Sequence, residues 1–193
     1  ALHDMFTNKL DSGLPYISCD VARFGSDKTV IVVWDGLTII KIVEMKMSSV
    51  TETANKIIAL SIEYKVQRSH IIIDEDGVGG GVKDIVNSSK GFLNGSKALK
   101  GDNFQNLKTQ CYFKLAEFIN AGKIAIKDGS HKQTIIEELE IVKRDKIDKD
   151  SQKLSIIPKE TIKSLLGRSP DYSDAIMMRM WYECKGNYGV YAF

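Results

Sequence analysis

Residues 16–44, YISCDVARFGSDKTVIVVWDGLTIIKIVE, decide the fold class. Residues 16–21 read as a short buried strand closing on Asp20, and residues 29–34, rich in β-branched side chains, as a second. Asp35-Gly36 is a hairpin-turn signal, so residues 37–44 follow as a third strand. Working outward, Ser49 and Glu52 form a capping box ahead of a helix with Ala54, Ile57, Ile58 and Ile62 on one face. Residues 70–73 are a further apolar strand that stops at Asp74, and a glycine cluster over residues 77–82 joins it to a helix. Residues 91–101 have loop composition. Residues 104–121 read as a helix with Leu107, Cys111, Leu115 and Phe118 inward and Gly122 as terminator. A short strand over 123–126 precedes a helix capped by Ser130 and Gln133 that carries Ile135, Ile136 and Leu139. Strand-like runs near Ile141 and over 154–157 form a hairpin, and Ser169-Pro170 starts the last helix. This order predicts an α/β domain, a mixed β-sheet flanked by helices on both faces with an added β-hairpin. The first regular element is expected near Pro15, which separates an N-terminal extension, residues 1–14, from a domain over 15–193.

Composition narrows the function classes. Lys and Arg number 27 against 25 Asp and Glu, and the resulting net charge of +2 argues against a strongly basic nucleic-acid binder. An apolar fraction of 43% is ordinary and excludes disorder. No apolar run approaches the ~20 residues of a membrane span, and no signal-peptide pattern opens the chain. Cys19, Cys111 and Cys184 form no CxxC pair, and the histidines show no HExxH spacing, so neither a disulfide scaffold nor a thiolate or zincin metal site is expected. A soluble, intracellular domain follows. Ala1 is not an initiator Met, which suits a processed product or a piece of a longer chain.

The acidic residues carry the chemistry. Asp20 and Asp74 each follow an apolar run, so each should lie near the core, where a lone carboxylate costs several kcal/mol or takes up a proton. A divalent cation shared among carboxylates removes that penalty, and Mg²⁺ and Mn²⁺ prefer such hard oxygen ligands. The last helix supplies a third acid. Asp171 and Asp174 are three apart on one face. Asp171 also suits the first turn of a helix for electrostatic reasons alone. Asp174 lies deeper, beside Ala175-Ile176-Met177-Met178, where a cap explains nothing. Asp27 reads as a turn-stabilising aspartate with an accessory metal role behind it, Glu75 as a further accessory acid, and Asp76-Gly77 as an ordinary turn.

The cluster Gly77-Val78-Gly79-Gly80-Gly81-Val82 is not a dinucleotide fingerprint. GxGxxG needs glycine where Val82 stands, and the neighbouring Asp74-Glu75-Asp76 would repel a pyrophosphate. Glycine here allows close backbone approach at a strand end. No GxxxxGK[ST] occurs. Between residues 143 and 168, Lys143, Arg144, Lys146, Lys149, Lys153, Lys159, Lys163 and Arg168 outnumber the acids. That segment is either a solvated, charge-mixed face or one that approaches phosphates.

Three motifs together resemble the nuclease motifs of the large terminase subunits of tailed bacteriophages. They are Asp20-Val21-Ala22-Arg23-Phe24-Gly25-Ser26-Asp27-Lys28-Thr29-Val30, Asp74-Glu75-Asp76-Gly77-Val78-Gly79-Gly80-Gly81-Val82 and Ser169-Pro170-Asp171-Tyr172-Ser173-Asp174-Ala175. The resemblance implies a ribonuclease H-like fold and a metal-dependent DNA endonuclease that cuts concatemeric viral DNA during genome packaging. Asp20, Asp74 and Asp174 would then hold two Mg²⁺ or Mn²⁺ ions, with Asp171 less firmly placed because that position varies in the family. It also implies double-stranded DNA as substrate, met through Lys143, Arg144, Lys146 and Lys159, with the hairpin near the active site. In that family the nuclease follows an ATPase motor and works with a portal and a small terminase subunit in the host-cell cytoplasm. The motor is absent from this chain. Competing readings are a resolvase- or integrase-type nuclease, half of an actin-like nucleotide-binding fold, and a non-catalytic cation-binding interaction domain.

Overall fold

In the computed structural model, which describes residues 1–22, 28–145 and 153–186, the leading strands form an antiparallel meander. They are β1 (Pro15–Asp20), β2 (Lys28–Asp35) and β3 (Thr38–Lys46). The sheet is completed by β4 (Ile71–Asp74), β5 (Lys90–Phe92) and β6 (Ala125–Ile126), in the order β5-β4-β1-β2-β3-β6. β4 runs parallel to both β1 and β5, and β6 runs parallel to β3, so the sheet is mixed as expected.

Side chains alternate across a strand, and here both faces are buried. Ile17, Cys19, Ile31, Val33, Ile71 and Ile73 face one side, which α1 (Val50–Glu63) and α2 (Gly79–Ile85) cover. Tyr16, Val30, Val32, Trp34 and Ile72 face the other. That side is covered by α3 (Leu107–Asn120), α4 (Lys132–Ile141), α6 (Asp171–Met178) and α7 (Met180–Lys185), while α5 (Lys159–Leu166) packs on α4. Ser18, buried on this second face, is satisfied by the Trp34 indole at 3.0 Å. Among the described residues no helix is long and apolar enough to cross a membrane.

Several expectations need correction. The first regular element is a 3₁₀ turn at His3–Phe6, not one near Pro15, and its Met5 is 1% exposed within the second core. Met5→Ala is therefore expected to cost about 2–5 kcal/mol, the usual range for a buried long apolar side chain, in urea unfolding. Ile62 is 72% exposed, because the buried side of α1 runs through Thr53, Ala54, Ile57, Leu60 and Ser61. The Ser130–Gln133 box does not form. Asp128 instead accepts from the Ser130 amide and starts a 3₁₀ turn ahead of α4. Ile141 ends α4 rather than opening a hairpin. The antiparallel pairing lies at Arg144↔Ile156, with Asp145 N donating to Ser155 O at 2.9 Å, and residues 146–152 of that hairpin lie outside the described residues. β5 and α5 were not expected from the sequence.

Candidate active site

Asp20 and Asp74 end neighbouring parallel strands, in a register that sets Cys19 opposite Ile73. Alternation puts Asp20 on the side of Tyr16 and Ser18, and Asp74 on that of Ile72. This is the face on which α6 packs against β1 and β2. The first turn of α6 thus delivers Asp171 and Asp174 to the same strand ends. All four carboxylates line one cleft of about 440 Å³.

Each acid is held by identifiable partners. Asp74 Oδ1 accepts from the Asp76 amide at 3.1 Å and from Asn94 Nδ2 at 3.2 Å. Asp171 Oδ2 accepts from the Lys28 backbone amide at 3.1 Å, which ties α6 to the start of β2. Asp174 Oδ1 accepts from the Tyr112 hydroxyl at 2.6 Å, and its Oδ2 from Lys108 Nζ at 2.8 Å. Among the described residues no three His, Cys, Asp or Glu side chains are gathered tightly enough to hold an ion as they stand. The Asp174 carboxylate is turned instead toward Lys108 and Tyr112.

The electrostatics record how crowded the acids are. Burial pushes the Asp20 carboxyl well above the usual range, and Asp174, Asp74 and Asp171 add to the rise against the opposing charge of Lys108. Burial likewise raises Asp74 to about 6. Neighbouring carboxylates each disfavour the other's charge unless a cation is present. An all-oxygen donor set of aspartates with the Asn94 amide nearby is the chemistry that hard divalent cations select. These residues fit such an ion.

Behind the cleft, Glu138 anchors the start of α6. Its Oε2 accepts from the Ser173 amide at 2.7 Å, while Arg168 pairs with Oε1. Burial pushes this carboxyl up to about 7 from an ordinary 4.5, against the pull of Ser173 and Arg168. The folded chain then binds this proton more tightly than the unfolded one. The resulting stability is whole below about pH 4.5 and is lost as pH rises to about 7, at up to ~1.4 kcal/mol per pH unit. Urea unfolding of wild type and Glu138→Gln at several pH values checks this. The stability difference between them should move against the wild type from pH 5 to 7, and a flat difference would contradict it.

Of the residues named from sequence, the structure brings Asp20, Asp74, Asp171, Asp174 and Lys159 into the cleft. Glu75 does not line it. Its carboxylate crowds Gly91 and lies 3.8 Å from Lys83 Nζ, on the far side of the strand end from Asp74, as alternation requires. Lys143 and Arg144 line a different, mainly apolar cavity of about 290 Å³ with Leu2, Phe113 and Ile156. Asp27 and Lys146 lie outside the described residues. Sequence reasoning gave no site role to Asp76, Asn94 and Lys108 and named Lys163 only within the basic segment, yet all four also line the cleft. Asp76 had a signal, an acid two residues beyond a strand end, but its following glycine disguised it as a turn.

The model of the family described as the terminase RNaseH-like domain matches residues 17–183. Among solved structures, the chain is similar to the nuclease domain of the large terminase subunit gp2 of bacterial virus Sf6. Identity is 20%, the match covers 93% of this chain and 95% of that one, and the TM-score is 0.79. A mutant of the Sf6 domain with manganese is similar at 19% identity, with the same coverages of 93% and 95% and a TM-score of 0.78. The large terminase nuclease from thermophilic phage G20c with bound magnesium is similar at 17% identity, covering 91% of this chain and 85% of that one, with a TM-score of 0.60. No curated protein matches the sequence.

Proposed function

The chain belongs to the terminase RNaseH-like domain family, and from that premise we propose that it is the metal-dependent endonuclease of a phage large terminase, cutting double-stranded viral DNA during packaging. The observation that carries this reading is the convergence of Asp20, Asp74, Asp171 and Asp174 at the C-terminal ends of β1 and β4, with Asp20 destabilised as an anion by burial and then by the other three. Asp20, Asp74 and Asp174 would hold two Mg²⁺ or Mn²⁺ ions, with Asp171 assisting. Bound there, such ions supply activation of the attacking water and stabilisation of the leaving 3′ oxygen.

The chain's own residues do the rest. The Asp76 amide and Asn94 orient Asp74, Tyr112 orients Asp174, and the Lys28 amide orients Asp171. Lys159 and Lys163, one helical turn apart on α5, flank the acids and would meet backbone phosphates on either side of the cut. Such contacts position DNA without reading bases, so little sequence preference is expected. The motor, portal and small subunit would be its partners in the complete packaging machine.

The test is incubation of purified protein with supercoiled plasmid, linear duplex and four-way junction DNA in Mg²⁺ or Mn²⁺. Nicking and linearisation of the plasmid and cutting of the linear duplex, both stopped by EDTA, are the expected result. No cleavage with either ion would overturn the reading, and cleavage confined to junctions would favour a resolvase.

A further inference from the structure

Lys108 stands in the second position of α3, after the N-cap Asn106, whose side chain accepts from the Thr109 amide. A cation in the first turn of a helix is disfavoured by the helix dipole, by about 0.3–1 kcal/mol at exposed sites. Lysine is also seldom this enclosed without a partner, its side chain being 12% exposed. The helix dipole gives no reason for the residue, but the cleft does. Its Nζ lies 2.8 Å from Asp174 Oδ2 and 5.8 Å from the centre of the Tyr112 ring. Its charge also opposes the upward push on both Asp20 and Asp74. With the Tyr112 hydroxyl on Oδ1, both oxygens of Asp174 are engaged.

We propose that Lys108 is a resident counter-cation, which holds Asp174 in the metal-free protein and must release it before a divalent ion can be taken up there. This rests on the reading that Asp20, Asp74 and Asp174 bind the ion. Lys108 and the ion then compete for one carboxylate, and the coupling is reciprocal: whatever binds one opposes the other. Lys108 is a positioning residue. It keeps the metal-free fold from carrying uncompensated acids and sets a threshold ion concentration for arming the nuclease.

The competition separates from a merely structural role. Removing a structural contact lowers stability with or without metal, whereas removing a competitor lowers it only without metal and tightens ion binding. Mn²⁺ affinity by electron paramagnetic resonance, and melting temperatures in EDTA and in saturating Mn²⁺, should be measured for wild type, Lys108→Met, Lys108→Gln and Lys108→Arg, with Asp20→Asn as the binding-site control. Lys108→Met and Lys108→Gln are expected to bind Mn²⁺ about tenfold more tightly, within the ~5–150-fold range of such couplings. Both should melt several degrees lower in EDTA and match the wild type in Mn²⁺, while Lys108→Arg stays near wild type in all three measurements. Should Met prove too disruptive to fold, Gln carries the test. Equal or weaker Mn²⁺ binding by the neutral variants, in a wild type that binds Mn²⁺ through Asp20, overturns the counter-cation role alone. A wild type that binds no Mn²⁺, or binds it undiminished after Asp20→Asn, overturns the metal-site reading and this proposal with it.

Discussion

Asp20→Asn is expected to lower Mn²⁺-dependent cleavage by more than about a hundredfold, beyond the ~10–100-fold usual for losing an outer-shell partner of a metal ligand. The same change should raise the melting temperature in EDTA. Burial, and then Asp174, Asp74 and Asp171, all press the Asp20 carboxyl toward the protonated form. A neutral side chain of the same shape relieves that repulsion, and each kcal/mol recovered shifts the midpoint by ~2–4 °C in a domain of this size. Loss of activity with gain of stability is the signature of a site held against its own folding preference. Asp171→Asn should behave differently. Its amide oxygen can still accept from the Lys28 backbone amide, so α6 stays tied to β2 and cleavage should remain within about tenfold of wild type. Asp174→Asn belongs with Asp20→Asn. Plasmid nicking and thermal melts on the purified variants decide the order, with circular dichroism to confirm folding. Cleavage retained by Asp174→Asn but lost by Asp171→Asn would transfer the ligand role to Asp171.

The strand-end acids were legible because two short apolar runs locate them before any contact is known. Residues 16–19 and 71–73 are apolar enough to be buried on both faces, and a charged residue ending such a run must stand at the rim of the sheet. Asp174 was legible for a related reason: it adjoins Ala175-Ile176-Met177-Met178 in a helix buried along its length, where an acid has no solvent-facing reason to stand. Lys108 and Asn94 offered no such sign. Each looks like an ordinary polar residue, on a helix and in a loop, and only the packing of α3 and the β5 segment against β4 and α6 gives either a partner. The strand β5 is three residues with a central glycine, so its pairing with β4, not its composition, makes it a strand. α5 could have been read. Pro158 precedes it and Gly167 closes it at a φ of 71°, an asymmetry typical of helix ends. The charge run was less informative than the strand ends. A count of lysines has no direction, so it could not tell that Lys159 lines the acidic cleft while Lys143 and Arg144 line another.

Gly79→Ala is expected to be the most damaging glycine-to-alanine change among the described residues, and Gly80→Ala, its neighbour, nearly harmless. A Cβ on Gly79 would lie 1.7 Å from the carbonyl oxygen of Asp74 and 2.8 Å from its carbonyl carbon. Both are backbone atoms, so no side chain can swing aside. Either α2 lifts off the sheet or the end of β4 moves by more than an ångström. That strand end is already fixed from its other side, where Glu75 N donates to Phe92 O at 2.9 Å and Asn94 Nδ2 to Asp74 Oδ1 at 3.2 Å. Overpacking usually costs about 1–3 kcal/mol, and a clash with backbone on both partners belongs at or above the top of that range. The displacement also carries Asp74 with it, and an error of about 1 Å in a positioned group can cost ~10²-fold in rate. At Gly80 the nearest atom to an added Cβ is the Glu75 carbonyl oxygen at 3.6 Å, an ordinary contact, inside a helix where alanine is favoured over glycine by about 1 kcal/mol. Urea unfolding and plasmid nicking on the two variants form a matched pair, since the substitution and the helix are the same and only the neighbour of the methyl differs. Equal stability and equal activity in the two would mean that β4 and α2 do not approach as closely as the Asp74–Gly79 contact requires, and would remove the reason for glycine at this strand end.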